Sequence, residues 1–271
     1  MTSLPDPSQL RSIHRQVPFT TTRVVVALML REMATTYGRK PGGYIWVILE
    51  PIASIAIMSW IFLAIGLRHP GLGTNFPMFY ATGLLPYFAF INVSQKTSAA
   101  LKYSSRLLEY PRVTVIDALI SRYILNILTQ VLVAYIVIAG ITMLQETGTQ
   151  LVLSHIVLGF TMAAALALGI GTLNCFLVSM FPMWGTFWSV ITRPLVLLSG
   201  VMILTESLPP EWQAWLLWNP VVHIVSEVRT GFYHGYTPPY VSPAYVFVIA
   251  LVTGVTGLLF LWRFHRDILE N

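Results

Sequence analysis

The sequence predicts an all-α integral membrane protein of about six transmembrane helices, with an N-terminal interfacial helix and a re-entrant outer loop. Three observations carry that prediction. Of 271 residues, 55% are hydrophobic and only 10% are charged, against roughly 25% charged in an ordinary soluble domain. Charge-poor apolar runs fill most of the chain after Tyr44, and several reach the about 20 residues that a helix needs to cross a hydrocarbon layer. Lysine and arginine fall unevenly among the connecting segments, as expected when positive flanks are retained on the cytoplasmic side.

Residues 1–43 form a basic cytoplasmic tail with no apolar core followed by a cleavage signal, so no removable signal peptide is expected. Within it, Thr20 to Thr22 offer helix caps, and Val24, Val25, Leu28, Met29 and Met33 are interspersed with Arg23, Arg31 and Glu32. The segment through Tyr37 and Arg39 reads as a helix lying in the membrane interface, or as a tail that only sets topology. The membrane domain, 44–262, holds six candidate spans: Tyr44 to Leu67, Asn75 to Gln95, Tyr123 to Leu144, Leu151 to Phe181, Trp184 to Leu204 and Ala244 to Trp262. Gly83 and Pro86 interrupt the second, which neighbouring helices can tolerate. The fourth exceeds one straight crossing, and Gly159, Gly169 and Gly171 let it bend or approach a neighbour closely.

Two connections have character. In the segment 101–115, Arg106, Glu109 and Arg112 surround Leu107, Leu108 and Tyr110, a mixture suited to docking a partner protein, or else a solvated loop serving topology. The loop 205–242 carries Trp212, Trp215, Trp218, Phe232, Tyr233, Tyr236 and Tyr240. So many aromatics place it in the headgroup zone or folded back into the membrane. With the N-terminus inside, thirteen Lys/Arg fall on the cytoplasmic side, and only Arg68 and Arg229 fall outside. Residues 263–271 are then a second cytoplasmic tail, and both termini share one side.

The chain has no phosphate-loop pattern, no zinc-type His/Cys cluster and no nucleophile elbow. No metal, no bound cofactor and no nucleic-acid partner is expected. Cys175 is the single cysteine, so no internal disulfide forms. His223 and Glu227 are spaced to share a helix face, and a structural hydrogen bond suits them better than a metal site. Two charges lie within predicted spans: Glu50, followed by Pro51, near the start of the first, and Arg193, followed by Pro194, deep in the fifth. Charges at depth mark functional sites by default because burying them is costly. Glu50 is either functional or a snorkelling, basic-paired residue. Arg193 either meets the transported substrate or satisfies carbonyls freed by Pro194.

The run Leu30-Arg31-Glu32-Met33 through Tyr37-Gly38-Arg39, with Gly43-Tyr44 and Leu49-Glu50-Pro51, resembles the N-terminus of capsular-polysaccharide export permeases, the membrane subunits of type 2 ABC exporters. Tyr110-Pro111-Arg112-Val113 with Asp117 and Arg122 resembles the family's cytoplasmic segment between spans two and three. Arg193-Pro194-Leu195 with Ser199-Gly200 resembles its fifth span. Leu208-Pro209, then Trp218-Asn219-Pro220-Val221-Val222-His223, with Glu227 and Arg229, resembles its outer re-entrant loop. The resemblance implies a homodimer in the bacterial inner membrane, bound to two copies of an ATPase that holds ATP and Mg. It also implies a periplasmic co-polymerase or adaptor, an outer-membrane channel, and a lipid-linked acidic polysaccharide as cargo. Coupling to the ATPase would then run through 101–115 and Asp117.

The same fold could carry O-antigen, teichoic acid or a hydrophobic small molecule. An ion-coupled transporter would place carboxylates or a His relay near the midplane, where only Glu50 is on offer, near one edge. An enzyme acting on lipid-linked sugars would need clustered acids or histidines at one face, and His223, Glu206, Glu211 and Glu227 are the sole outer cluster.

Overall fold

The computed structural model describes residues 20–37, 43–66, 69–108, 113–145 and 148–264, most of which are helical, with no strand among them. Ten α-helices follow in order: α1 Thr20–Glu32, α2 Gly43–Ala64, α3 Phe76–Ser98, α4 Ala100–Leu108, α5 Val115–Leu144, α6 Leu153–Met180, α7 Trp184–Leu195, α8 Pro210–Leu216, α9 Pro220–Thr230 and α10 Pro243–Arg263. Five of them, α2, α3, α5, α6 and α10, are long and apolar enough to cross a membrane. Arg39, Glu109, Tyr110 and Arg112 lie outside the described residues, as do the side chains of Tyr37, Arg106, Leu107 and Leu108.

The expected fifth span, Trp184 to Leu204, is not one helix. α7 has 12 residues, about 18 Å at the helical rise, against a hydrocarbon layer of about 30 Å. Beyond it come a single 3-10 turn, Leu197–Ser199, and Gly200 in the left-handed region at φ 69°, where a side chain would be strained. The chain turns there rather than continuing outward. α9 packs inside the bundle: every residue from Val221 to Arg229 is buried, and the helix packs on α3, α6 and α10.

α3 is the central element, packed by α2, α5, α6 and α9, with Pro86 accommodated inside one continuous helix. Its start is set by Asn75, whose side chain accepts the Met78 N–H, and by Pro77 in the first turn. α5 begins eight residues before the expected third span, because Thr114 and Asp117 form a capping box. That Thr-x-x-Asp spacing is legible in the sequence. α6 runs 28 residues unbroken, and its glycines serve close approach. A Cβ on Gly169 would stand 2.2 Å from the Ala250 carbonyl oxygen, and one on Gly257 would stand 2.6 Å from the Leu173 nitrogen. Small residues on both helices let the α6 and α10 backbones meet.

Candidate functional site

Breaking a helix inside an apolar layer frees carbonyls that water cannot satisfy. Here α9 satisfies them. Arg229, 1% exposed, donates from Nη1 to the Gly200 carbonyl at 2.7 Å and from Nη2 to the Val201 carbonyl at 2.9 Å. Its guanidinium carbon lies 4.3 Å from the centre of the Phe79 ring on α3, a cation–π arrangement that supplements the carbonyls. Asn219, the N-cap of α9, accepts the Val221 N–H at 3.0 Å and donates from Nδ2 to the Leu198 carbonyl at 2.9 Å. Both side chains lie in the 205–242 segment, as expected, yet Arg229 faces the bundle interior rather than an outer aqueous loop.

The same end of the molecule is tied together by further polar contacts. Glu227 pairs with His155 of α6, Oε1 to Nδ1 at 2.8 Å. It is not paired with His223, which bonds elsewhere. The His223 Nδ1 accepts the Ser242 N–H at 3.2 Å, so Nε2 carries the proton and donates to the Leu217 carbonyl at 2.9 Å. His223 is thus a structural hydrogen-bonding group. Tyr236 and Tyr240 both donate to Oε1 of Glu206, at 2.8 and 2.9 Å. Burial, the largest influence on each, pushes both hydroxyls up from the ordinary phenol range and keeps them protonated donors. α8 has no buried residue. Trp212, Trp215 and the following Trp218 are 64%, 78% and 76% exposed, an arrangement suited to the headgroup belt. No group of three or more His, Cys, Asp or Glu among the described residues could hold a metal.

Arg193 sits in the last turn of α7 and is exposed. Its neighbour Thr192 accepts a hydrogen bond through its carbonyl from the Tyr87 hydroxyl at 3.2 Å. Tyr87 lies midway along α3, so the end of α7 that carries Arg193 is level with the middle of that helix. Beyond Pro194 the Leu195 carbonyl accepts from the Ser199 hydroxyl, the Leu198 carbonyl from Asn219, and the Gly200 and Val201 carbonyls from Arg229; none of these donors is Arg193. Glu50, with its neighbours Trp46, Leu49 and Ile52, is exposed on α2. Arg193 and Glu50 form no ion pair, with each other or with any described residue.

At the opposite end, Arg122 and Glu32 make a second buried cluster. Arg122 donates from Nε to Oε1 of Glu32 at 3.1 Å and from Nη1 to the Ala99 carbonyl at 2.9 Å. Glu32 therefore faces inward from the end of α1, while Arg31 is exposed. Val25 is also buried, where α1 packs on α5. Asp117 is engaged in its helix cap, Oδ2 accepting the Thr114 N–H at 3.0 Å and the Thr114 hydroxyl at 2.8 Å.

Comparison with known proteins finds similarity over nearly the whole chain. The profile of the ABC-2 type transporter family matches residues 23–233. The chain is 32% identical over 234 residues to the polysialic acid transport protein KpsM of Escherichia coli, covering 86% of this chain and 90% of that protein. It is 26% identical over 248 residues to the capsule polysaccharide export inner-membrane protein CtrC of Neisseria meningitidis, covering 91% and 92%. It is 24% identical over 249 residues to the capsule polysaccharide export inner-membrane protein BexB of Haemophilus influenzae, again covering 91% and 92%.

Proposed function

The chain belongs to the ABC-2 type transporter family, and from that premise we propose that it is the membrane subunit of an ATP-driven exporter of lipid-linked acidic capsular polysaccharide in the bacterial inner membrane. The observation that carries the reading is the near full-length similarity to capsule export proteins from three bacteria. The sequence holds no phosphate-binding loop, so hydrolysis belongs to a separate ABC ATPase that binds ATP and Mg. Two ATPase copies would serve two copies of this chain. A periplasmic adaptor and an outer-membrane channel would receive the polymer.

In this reading the end bearing α1 and α4 is cytoplasmic, and both termini lie there, as the positive-charge distribution favours. The 101–115 segment, including α4, docks the ATPase. α2 and α7 line the path: Trp46, Leu49, Ile52, Phe187, Val190 and Ile191 are exposed along them, and each helix carries one charge, Glu50 or Arg193. A cation at mid-depth with no counter-ion among the described residues attracts an anionic chain strongly in a low dielectric, yet binding must stay weak enough for the chain to move on.

Co-expression with the candidate ATPase subunit tests the reading. The two proteins are expected to copurify, and proteoliposomes holding both should move acidic polymer only with hydrolysable ATP. Failure to copurify, or transport driven by an ion gradient without ATP, would overturn it. In a Cys175→Ala background, cysteines at Ser8 and Asn271 should resist an impermeant reagent added to intact cells, and labelling from outside would reverse the topology.

A further inference from the structure

Arg122 touches three elements besides its own helix, each through a different part of the same planar group. Nε meets Glu32, the last residue of α1; Nη1 meets the carbonyl of Ala99, which joins α3 to α4; and the guanidinium carbon lies 4.3 Å from the centre of the Tyr103 ring of α4. The Tyr103 hydroxyl in turn bonds the Thr35 hydroxyl just beyond α1. The Arg122 and Glu32 side chains are 6% and 5% exposed, so the cluster is shielded rather than a loose surface pair.

A buried ion pair adds little net stability over well-packed apolar residues of the same volume. What arginine supplies in particular is a rigid fork that fixes several partners in one geometry. The elements it joins also matter. α4 is a nine-residue helix at the end of α3, whereas α5 is a 30-residue helix, about 45 Å long, that reaches the far end of the bundle.

We propose that Arg122 is the positioning residue through which movement of α4 enters the membrane domain. It binds α1, the α3–α4 corner and α5 into one body, so that a push on α4 from the ATPase displaces α5 as a unit. The inference rests on the exporter reading, in which α4 belongs to the docking segment. Without Arg122, α4 moves by itself, and ATP hydrolysis is no longer matched by polymer movement. Lysine at this position can reach Glu32 or the Ala99 carbonyl but cannot hold both while stacking on Tyr103.

The test uses the complex with its ATPase in liposomes and reads polymer exported per ATP hydrolysed, for equal amounts of assembled complex. In Arg122→Gln and in the milder Glu32→Gln the ratio should fall, about tenfold for the former, while hydrolysis itself stays within about twofold. Arg122→Lys should lie between Arg122→Gln and the unmodified chain. A double variant, Arg122→Cys with Tyr103→Cys in a Cys175→Ala background, should regain the ratio to within about threefold once a short bismaleimide tethers α5 to α4. An unchanged ratio in both Gln variants, with activity following only the amount of assembled complex, would reduce Arg122 to a structural role and overturn the proposal. A lowered ratio that tethering leaves unrestored overturns the mechanical link. If the unmodified chain forms no complex with the ATPase, the exporter reading fails first, an outcome visible before any variant is made.

Discussion

Arg229 on α9 holds the carbonyl of Gly200, 29 residues upstream, through a 2.7 Å hydrogen bond from Nη1. That contact, with its companion to Val201, closes the break at the end of α7. It also fastens α9 to the turn that follows α7.

Removing Arg229 should therefore destabilise the fold. Arg229→Ala loses two charge-assisted hydrogen bonds and leaves two carbonyls unsatisfied in an apolar setting, a loss of about 3 kcal/mol. Arg229→Lys keeps the charge but cannot bridge both carbonyls, and should recover part of that loss. Thermal unfolding of the purified protein in detergent gives the measurement. A midpoint unchanged in Arg229→Ala would show that the clamp does not support the fold.

Asn219 separates two contributions to the same junction. Asn219→Asp keeps the oxygen that accepts the Val221 N–H and loses the donor to the Leu198 carbonyl, whereas Asn219→Ala loses both. Loss of the cap alone should weaken α9 by about 1 kcal/mol. If the tie to Leu198 matters, Asn219→Asp will also be destabilised, by a smaller amount than Asn219→Ala. Equal stability of Asn219→Asp and the unmodified chain in the same unfolding assay would confine the role of Asn219 to capping.

The α6–α10 contact makes a steric prediction. At Gly257 a Cβ would meet backbone atoms of Thr172 and Leu173 at 2.6 to 2.8 Å, and backbone cannot step aside as a flexible side chain can. Gly257→Ala should cost about 1 to 3 kcal/mol through forced separation of the two helices, and Gly257→Leu should lower the folded yield further. Gly140, with open space around it, provides the control, since Gly140→Ala should leave stability the same or slightly raised.

For Arg193 the expected result is functional. Arg193→Ala should reduce export of an acidic polymer per assembled complex by about tenfold, equivalent to about 1.4 kcal/mol. Arg193→Lys should keep part of the activity, because the charge survives. Folded yield should be nearly unaffected, since the side chain is exposed and makes no ion pair with a described residue. Normal export per complex in Arg193→Ala would exclude substrate contact.

By itself, the sequence determined the class of protein and most of its crossings. An apolar run of sufficient length has few alternatives in lipid, since only helices satisfy every backbone group internally within one segment. The apolar run puts the start of α5 at Tyr123, although the capping box at Thr114 and Asp117 is local in sequence and carries the signal for the earlier start. The segment from Val196 to Leu204 was not legible. It is apolar throughout except Ser199, so its hydropathy is the same whether it is a helix or a turn. Tertiary structure decided the matter by supplying donors for the freed carbonyls from Asn219 and Arg229, more than twenty residues downstream. The same limit hid the inward placement of Arg229 and the pairing of Glu32 with Arg122, 90 residues apart. A charge in a short polar segment reads as solvated until the fold brings its partners alongside, and those partners are chosen by packing rather than by sequence distance.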